Sequence, residues 1–231
     1  MSDELILRPV GVYRCDFPLK FGLPRQSGLA PDLKGRIEFY GAFQNPDYLR
    51  GIEGYSHLWL LWQFSQSEPA DSPTVRPPKL GGNTRVGVFA SRSPYRPNPI
   101  GLSCVKFEGV GKTKSGAPCL FVSGGDLADG TPVFDIKPYL AYADAHPEAT
   151  NGFAKTDGVL TVDFPPALFE QIPSSHRDAL LQTLSLDPRP GYQDDPERVY
   201  YLRCAALDIG FTVEGDTLRV VEVRDADEAS D

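Results

Sequence analysis

The stretch Arg85-Val-Gly-Val-Phe-Ala-Ser-Arg-Ser-Pro-Tyr-Arg-Pro-Asn-Pro-Ile-Gly-Leu-Ser103 decides how the rest of the chain is read. It opens on an apolar, β-rich run, Val86 to Ala90, with the pattern of a short buried strand. Pro94, Pro97 and Pro99 then fix φ and lack an N–H donor, so neither a helix nor a central strand can continue. The residue before each proline is pushed toward extended geometry. A stiff loop results, presenting Arg92 and Arg96 with Tyr95 between them. Loops of this kind on a rigid scaffold are frequent binding sites. The competing account is a surface turn whose arginines are merely solvated.

Working outward, short strand patterns dominate. Residues 5 to 14 read as an opening strand interrupted by Pro9, and Arg36 to Tyr40 alternates as a second. Asp47 to Gly54 reads as a short helix closed by glycine. Ser56 to Phe64 is the most apolar run and predicts a central strand, on which His57 reads as a structural histidine. Ile100 to Val110 and Pro118 to Val122 form a strand pair around the turn at Lys112 to Gly116. Asp129-Gly130 signals a turn before the strand Val133 to Ile136. Many short strands and few helices predict a mainly β fold, a closed or nearly closed barrel.

A boundary is expected near 145 to 160, giving a barrel over 1–148 and a small α+β unit over 149–231. In the latter, Ser174 to Leu186 reads as a helix capped by Ser174, and Val199 to Asp208 and Phe211 to Val223 as strands, the second bent at Glu214-Gly-Asp216. Charge divides the same way. Residues 1–150 carry 16 basic and 15 acidic side chains, a net of +1, and residues 151–231 carry 7 and 16, a net of −9. The overall −8 therefore does not exclude RNA, but it argues against broad, nonspecific phosphate binding. No run of 18 apolar residues and no leader pattern are present, which reads as a cytoplasmic protein. Cys15, Cys104, Cys119 and Cys204 are far apart and His57, His146 and His176 have no ligand spacing, so neither a disulfide framework nor a metal site is expected.

Nucleotide-binding glycine motifs and a nucleophile elbow are missing. What remains is three polar, turn-rich blocks at the ends of apolar runs: Pro24-Arg25-Gln26, Ser91 to Pro99, and Asp126 to Pro132. Their guanidiniums, amides and carboxylates suit a small ligand bearing both a carboxylate and a cationic centre.

These blocks carry a resemblance. Gly87 to Ser103 and Asp129-Gly-Thr-Pro-Val-Phe-Asp-Ile-Lys-Pro-Tyr-Leu140 closely resemble the TsaA-like, or TrmO, family, as do Gly54-Tyr-Ser-His-Leu-Trp59, Arg76-Pro-Pro-Lys-Leu-Gly-Gly-Asn83 and Asp187-Pro-Arg-Pro190. The resemblance implies an S-adenosylmethionine-dependent methyltransferase on a β-barrel, a homodimer that methylates N6 of threonylcarbamoyladenosine beside the tRNA anticodon. By position it implies cofactor contacts from Pro24, Arg25, Gln26, Ser65, Gln66, Arg92, Leu102, Asp129, Gly130, Thr131 and Pro132. The family often has histidine where this chain has Ser65, which leaves a backbone contact there. The target nitrogen must lose a proton, and Asp126 or Asp129 is the candidate acceptor. Tyr95 and Tyr139 are candidate base platforms, and Arg96, Lys137 and Arg189 candidate RNA contacts. The alternative class is a non-catalytic module that senses S-adenosylmethionine or a nucleotide.

Overall fold

The structure, a computed structural model, describes residues 5–81, 83–154, 158–189 and 195–226. Gly82 and Pro190, which belong to the motifs quoted above, lie outside the described residues. Twelve strands are described: β1 (Gly11–Cys15), β2 (Lys34–Phe39), β3 (His57–Gln63), β4 (Thr74–Val75), β5 (Val86–Gly87), β6 (Ile100–Lys112), β7 (Pro118–Ser123), β8 (Pro132–Pro138), β9 (Thr161–Asp163), β10 (Tyr200–Cys204), β11 (Leu207–Glu214) and β12 (Thr217–Asp225). The helices are α1 (Ala141–Asp144), α2 (Pro166–Phe169) and α3 (Ser174–Ser185).

Six strands close into a barrel of order β1-β2-β7-β6-β3-β8, in which each pairs with two neighbours. The cause is visible in their alternation: along β3, Leu58, Leu60 and Trp62 point inward, and along β6, Gly101, Ser103 and Val105 do. Tyr13, Ile37, Leu120, Val122 and Val133 complete this core. Registers define two barrel ends. Gln63 faces Ile100, Cys15 faces Gly35, and Val12 faces Pro132 toward one end; His57 faces Lys106 and Leu58 faces Pro138 toward the other. A seven-residue strand places those ends about 20 Å apart.

The second sheet has the order β10-β11-β12-β9, with β9 parallel to β12 and the rest antiparallel. Its core takes Leu180 and Leu184 from α3 and Leu202, Ile209, Phe211 and Leu218 from the strands. Phe17, Ala30 and Leu33, from the connection between β1 and β2, are buried in the same core. That connection therefore belongs structurally to both halves.

Several local expectations are corrected. Val86 to Ala90 is not a buried strand: only Val86 and Gly87 pair, with β4, and a 3₁₀ turn follows that leaves Phe89 exposed. With no barrel neighbour beyond that two-residue partner, the run cannot extend. The 47–54 segment is two 3₁₀ turns, Pro46–Leu49 and Ile52–Gly54. Residues 5–10 precede β1 without joining it. Ser174 is the first helical residue rather than the cap, because Pro173 holds the extended N-cap conformation. Val199 to Asp208 breaks at Ala205, whose φ is 52°, and Glu214-Gly-Asp216 is a hairpin turn rather than a bend.

Candidate functional site

The three polar blocks meet at one end of the barrel. The β1–β2 connection crosses that end and is fastened to each neighbouring loop. Gly28 N–H donates to the Gly124 carbonyl (2.8 Å), Asp129 N–H to the Phe17 carbonyl (2.8 Å), and Cys104 N–H to Ser27 Oγ (3.2 Å). Gln66 is the fourth fastening: its amide donates to the Pro18 carbonyl (2.8 Å) and accepts from Lys20 N–H (3.0 Å), while Lys20 Nζ reaches the Gln66 carbonyl (3.1 Å). Ser65, just after β3, sits beside this latch with its N–H on the Gln63 carbonyl. The Arg92 guanidinium donates to the Gln26 amide oxygen, which joins the proline loop to the first block. Leu102, on the outer face of β6 at this end, is more than half exposed.

Asp126 is the half-buried acid of the site. The Trp62 indole N–H donates to Ser103 Oγ (2.9 Å), and the Ser103 hydroxyl donates to Asp126 Oδ1 (2.5 Å). The direction is forced: an indole only donates, so the hydroxyl must spend its single proton on the carboxylate. Gly101 makes the arrangement possible, because a Cβ there would fall 2.2 Å from the Trp62 ring. Burial raises the Asp126 pKa above the usual carboxylate value; the Ser103 hydroxyl, the nearby Arg92 charge and the Ser27 N–H pull against that rise. The Tyr13 hydroxyl is buried close by with no partner among the described residues, and burial, with the Cys15 and Asp126 charges, holds its pKa high.

Asp129 is engaged differently. Its Oδ1 accepts from Cys15 N–H (3.1 Å) and its Oδ2 pairs with Arg14 (3.3 Å). Gly130, at φ 80°, takes the left-handed turn position, and its N–H donates to the Tyr13 carbonyl (2.9 Å). Thr131 is buried, and Pro132 opens β8. Cys15, beneath this turn, has its thiol pushed up to about 12 by burial, so it is not a nucleophile.

Arg25 and Pro24 line a second feature, a cleft of about 420 Å³ between the β1–β2 connection and residues 183–189. Arg25 donates to the Arg189 carbonyl (3.2 Å), and Arg189 is held by both oxygens of Asp187 (2.9 and 3.0 Å). Tyr95 is half exposed at the tip of the proline loop, where Arg96 donates back to the Ser91 carbonyl (3.2 Å). Lys137 and Tyr139 are not with these groups. They lie at the opposite barrel end, Lys137 paired with Asp135 (2.8 Å) and Tyr139 against Trp59 and His57. Sequence reasoning missed Ser103, Trp62, Ser27 and Lys20. Ser103 carried a signal: a hydroxyl at an inward position of β6, between Gly101 and Val105.

The arrangement can bind an anionic group through Arg92 or Arg25, offer an apolar wall at Leu102, and accept a proton at a carboxylate drawn out of bulk water. No helix among the described residues is long and apolar enough to cross a membrane.

The chain is similar to known proteins over most of its length. The family model for the tRNA-methyltransferase O N-terminal domain matches residues 12–145, and that for the TrmO C-terminal domain matches residues 158–226. A Pseudomonas aeruginosa protein provisionally named S-adenosylmethionine-dependent methyltransferase RcsF is 40% identical over 95% of this chain and 97% of its own. The tRNA (adenine(37)-N6)-methyltransferase of Escherichia coli is 40% identical over 81% of this chain and 83% of its own. The crystal structure of TrmO from Pseudomonas aeruginosa superposes with a TM-score of 0.79 at 36% identity, covering 96% of this chain and 99% of the other. With both family models matched end to end around the loop cluster just described, the chain belongs to the TrmO family.

Proposed function

We propose that this protein is an S-adenosylmethionine-dependent tRNA methyltransferase that modifies N6 of adenosine 37, and specifically of threonylcarbamoyladenosine, in the cytoplasm. The observation that carries the reading is Asp126: a carboxylate out of bulk water, oriented by Ser103 and Trp62, at the loop end of a TrmO-family barrel.

The donor set fits the cofactor's chemistry. Arg92 and Arg25 suit its carboxylate. The backbone around Ser65, the Asp129-Gly130-Thr131-Pro132 turn, Pro24, Gln26, Gln66 and exposed Leu102 suit its nucleoside and sulfonium parts. S-adenosylmethionine supplies a methyl carbon on a sulfonium whose positive charge disappears on transfer. The protein's part is alignment and exclusion of water, which the β1–β2 connection serves by lying across the barrel end. A ureido nitrogen has its lone pair delocalised and its proton must leave. Asp126 accepts that proton; Asp129, already bound by Arg14 and Cys15 N–H, orients the turn. Tyr95 and Arg96 stand beside the loops as RNA contacts, with Lys137, Tyr139 and Arg189 as more distant ones. We further propose a homodimer that covers the exposed Phe89, Ile100 and Leu102, and a division into units 1–148 and 149–231.

The test uses purified protein, labelled S-adenosylmethionine and bulk tRNA from cells lacking this enzyme, with a parallel lane of tRNA from cells unable to make threonylcarbamoyladenosine. Label in the first lane alone is the expected result. No label in either, with cofactor binding intact, would replace the enzyme with a sensing module.

A further inference from the structure

Strands β1, β2, β7 and β6 are consecutive around the barrel, and their outward positions carry an uneven charge pattern. Arg14, Lys34, Arg36 and Lys106 point outward, Lys112 ends β6, and Lys114 follows in the β6–β7 turn. Against these six cations stand Glu38, Glu108 and Asp129, a surplus of three positive charges on a chain whose net charge is −8. The acids are arranged as spacers. Glu38 lies between Arg14 (3.6 Å) and Arg36 (2.7 Å), and Glu108 between Lys34 (3.8 Å) and Lys106 (3.1 Å). The paired bases keep 39–62% of their side chains exposed, while the three acids keep 26–33%. The cations therefore show more of their side chains to solvent than the carboxylates do. Lys112 and Lys114 have no ion-pair partner among the described residues. They border a cleft of about 500 Å³ that Arg36, with its partner Glu38, and the exposed Phe121 also line.

We propose that this face receives the phosphate backbone of the RNA substrate, with Arg36, Lys112 and Lys114 gathering phosphates in the cleft. The inference rests on the tRNA reading above and extends it to residues outside the loop cluster. Charge complementarity selects the occupant: a surplus of exposed cations with less exposed acids suits a polyanion. Continuity selects the geometry. At one end the face reaches Arg14, which pairs with Asp129 in the proposed cofactor turn, and at the other the β6–β7 turn, about 20 Å or more away along the strands. RNA with a base at the loop end could lay its adjoining stem along these strands. The C-terminal unit, at −9, would repel that stem, which leaves the barrel wall to hold it. Such contacts position the substrate without reading its sequence.

The test is the double variant Lys112→Glu/Lys114→Glu, a neutral counterpart Lys112→Gln/Lys114→Gln, and Arg219→Glu on the C-terminal sheet as a control. Binding of tRNA is measured over a salt series without cofactor, and methyl transfer over a tRNA series. We expect the reversed pair to weaken tRNA binding and raise KM on the order of tenfold to a hundredfold. In the neutral pair the salt dependence should become shallower by roughly one unit of slope per lysine. The rate at saturating tRNA and the affinity for S-adenosylmethionine should not change, and Arg219→Glu should match the parent. Variants that bind and saturate like the parent would overturn the inference while leaving the methyltransferase reading intact. Loss of salt-dependent tRNA binding without any methyl transfer by the parent would do the reverse. Unchanged tRNA binding with reduced retention on a polyglutamate matrix would assign the face to an acidic protein and overturn the RNA proposal.

Discussion

Asp126 at the loop end of the barrel and Asp208 in the C-terminal sheet are both acids drawn away from water, and they are held in opposite ways. Asp208 faces Arg203 directly across the β10–β11 pair, and the guanidinium engages both of its oxygens, at 2.8 and 2.9 Å. Among the described residues no cation docks on Asp126 in that manner. Its bonds come from neutral donors, the Ser103 hydroxyl and the Ser27 N–H, with Arg92 close enough to act through its charge. With both of its oxygens engaged by one guanidinium, Asp208 offers neither to a reacting group and contributes to the fold alone. A carboxylate raised by burial and oriented by a hydroxyl keeps that capacity. Burial thus does not by itself mark a working acid; the kind of partner does.

Three variants sharpen or break this contrast. The largest effect belongs to Asp126→Asn. Methyl transfer should fall on the order of a hundredfold to ten-thousandfold, the range of a lost general base, with S-adenosylmethionine binding retained in titration. Stability should move the other way. A carboxyl whose pKa is raised by folding contributes most below the usual carboxylate value and loses that contribution as pH rises through its folded pKa. The amide removes this loss, so its thermal advantage over the parent should grow from acid to neutral pH. An inactive variant that has also lost stability at neutral pH would mean that Asp126 is structural.

Arg203→Met should come next, leaving Asp208 buried without its cation. A loss of about 3 kcal/mol in denaturant unfolding is expected, with the rate per folded molecule unchanged. A fall in that rate before unfolding begins would place the C-terminal sheet in the chemistry and dissolve the contrast. Ser103→Ala has the smallest effect on the maximal rate and the most specific signature. Removing the donated hydroxyl raises the Asp126 pKa further, so the acid limb of kcat/KM should move to higher pH, and Ser103→Thr should restore it. The orphaned Trp62 N–H adds roughly 1–3 kcal/mol of instability in unfolding experiments.

How much of this was legible in the chain differs by element. β3 and β6 announced themselves as apolar runs, Ser56 to Phe64 and Ile100 to Val110, whereas which alternate residues are buried emerges only in the folded barrel. Val86 to Ala90 misled, since apolar content alone does not reveal that only β4, two residues long, is there to pair. The turn at Ala205 was hidden for a different reason: alanine in the left-handed region carries no turn signature. The candidate site divides likewise. Prolines and isolated charges made the three loop blocks conspicuous before any fold was known. The chain from Trp62 through Ser103 to Asp126 joins residues 41 and 23 positions apart, and only barrel closure brings them together. Lys137 and Tyr139, read beside the third block because they follow it, are carried by β8 to the far end. Sequence proximity overstates spatial proximity along a strand.

The Trp62–Ser103 bond also gives this protein an internal optical reporter. The chain has two tryptophans, and the other, Trp59, sits near the far barrel end with its indole on Asp144 at 2.9 Å. With Trp59 replaced by phenylalanine, all tryptophan emission comes from an indole one hydroxyl away from the acid proposed to take the proton. Its wavelength and intensity then follow the charge on Asp126 in real time, in the resting protein and with RNA bound, without any added dye.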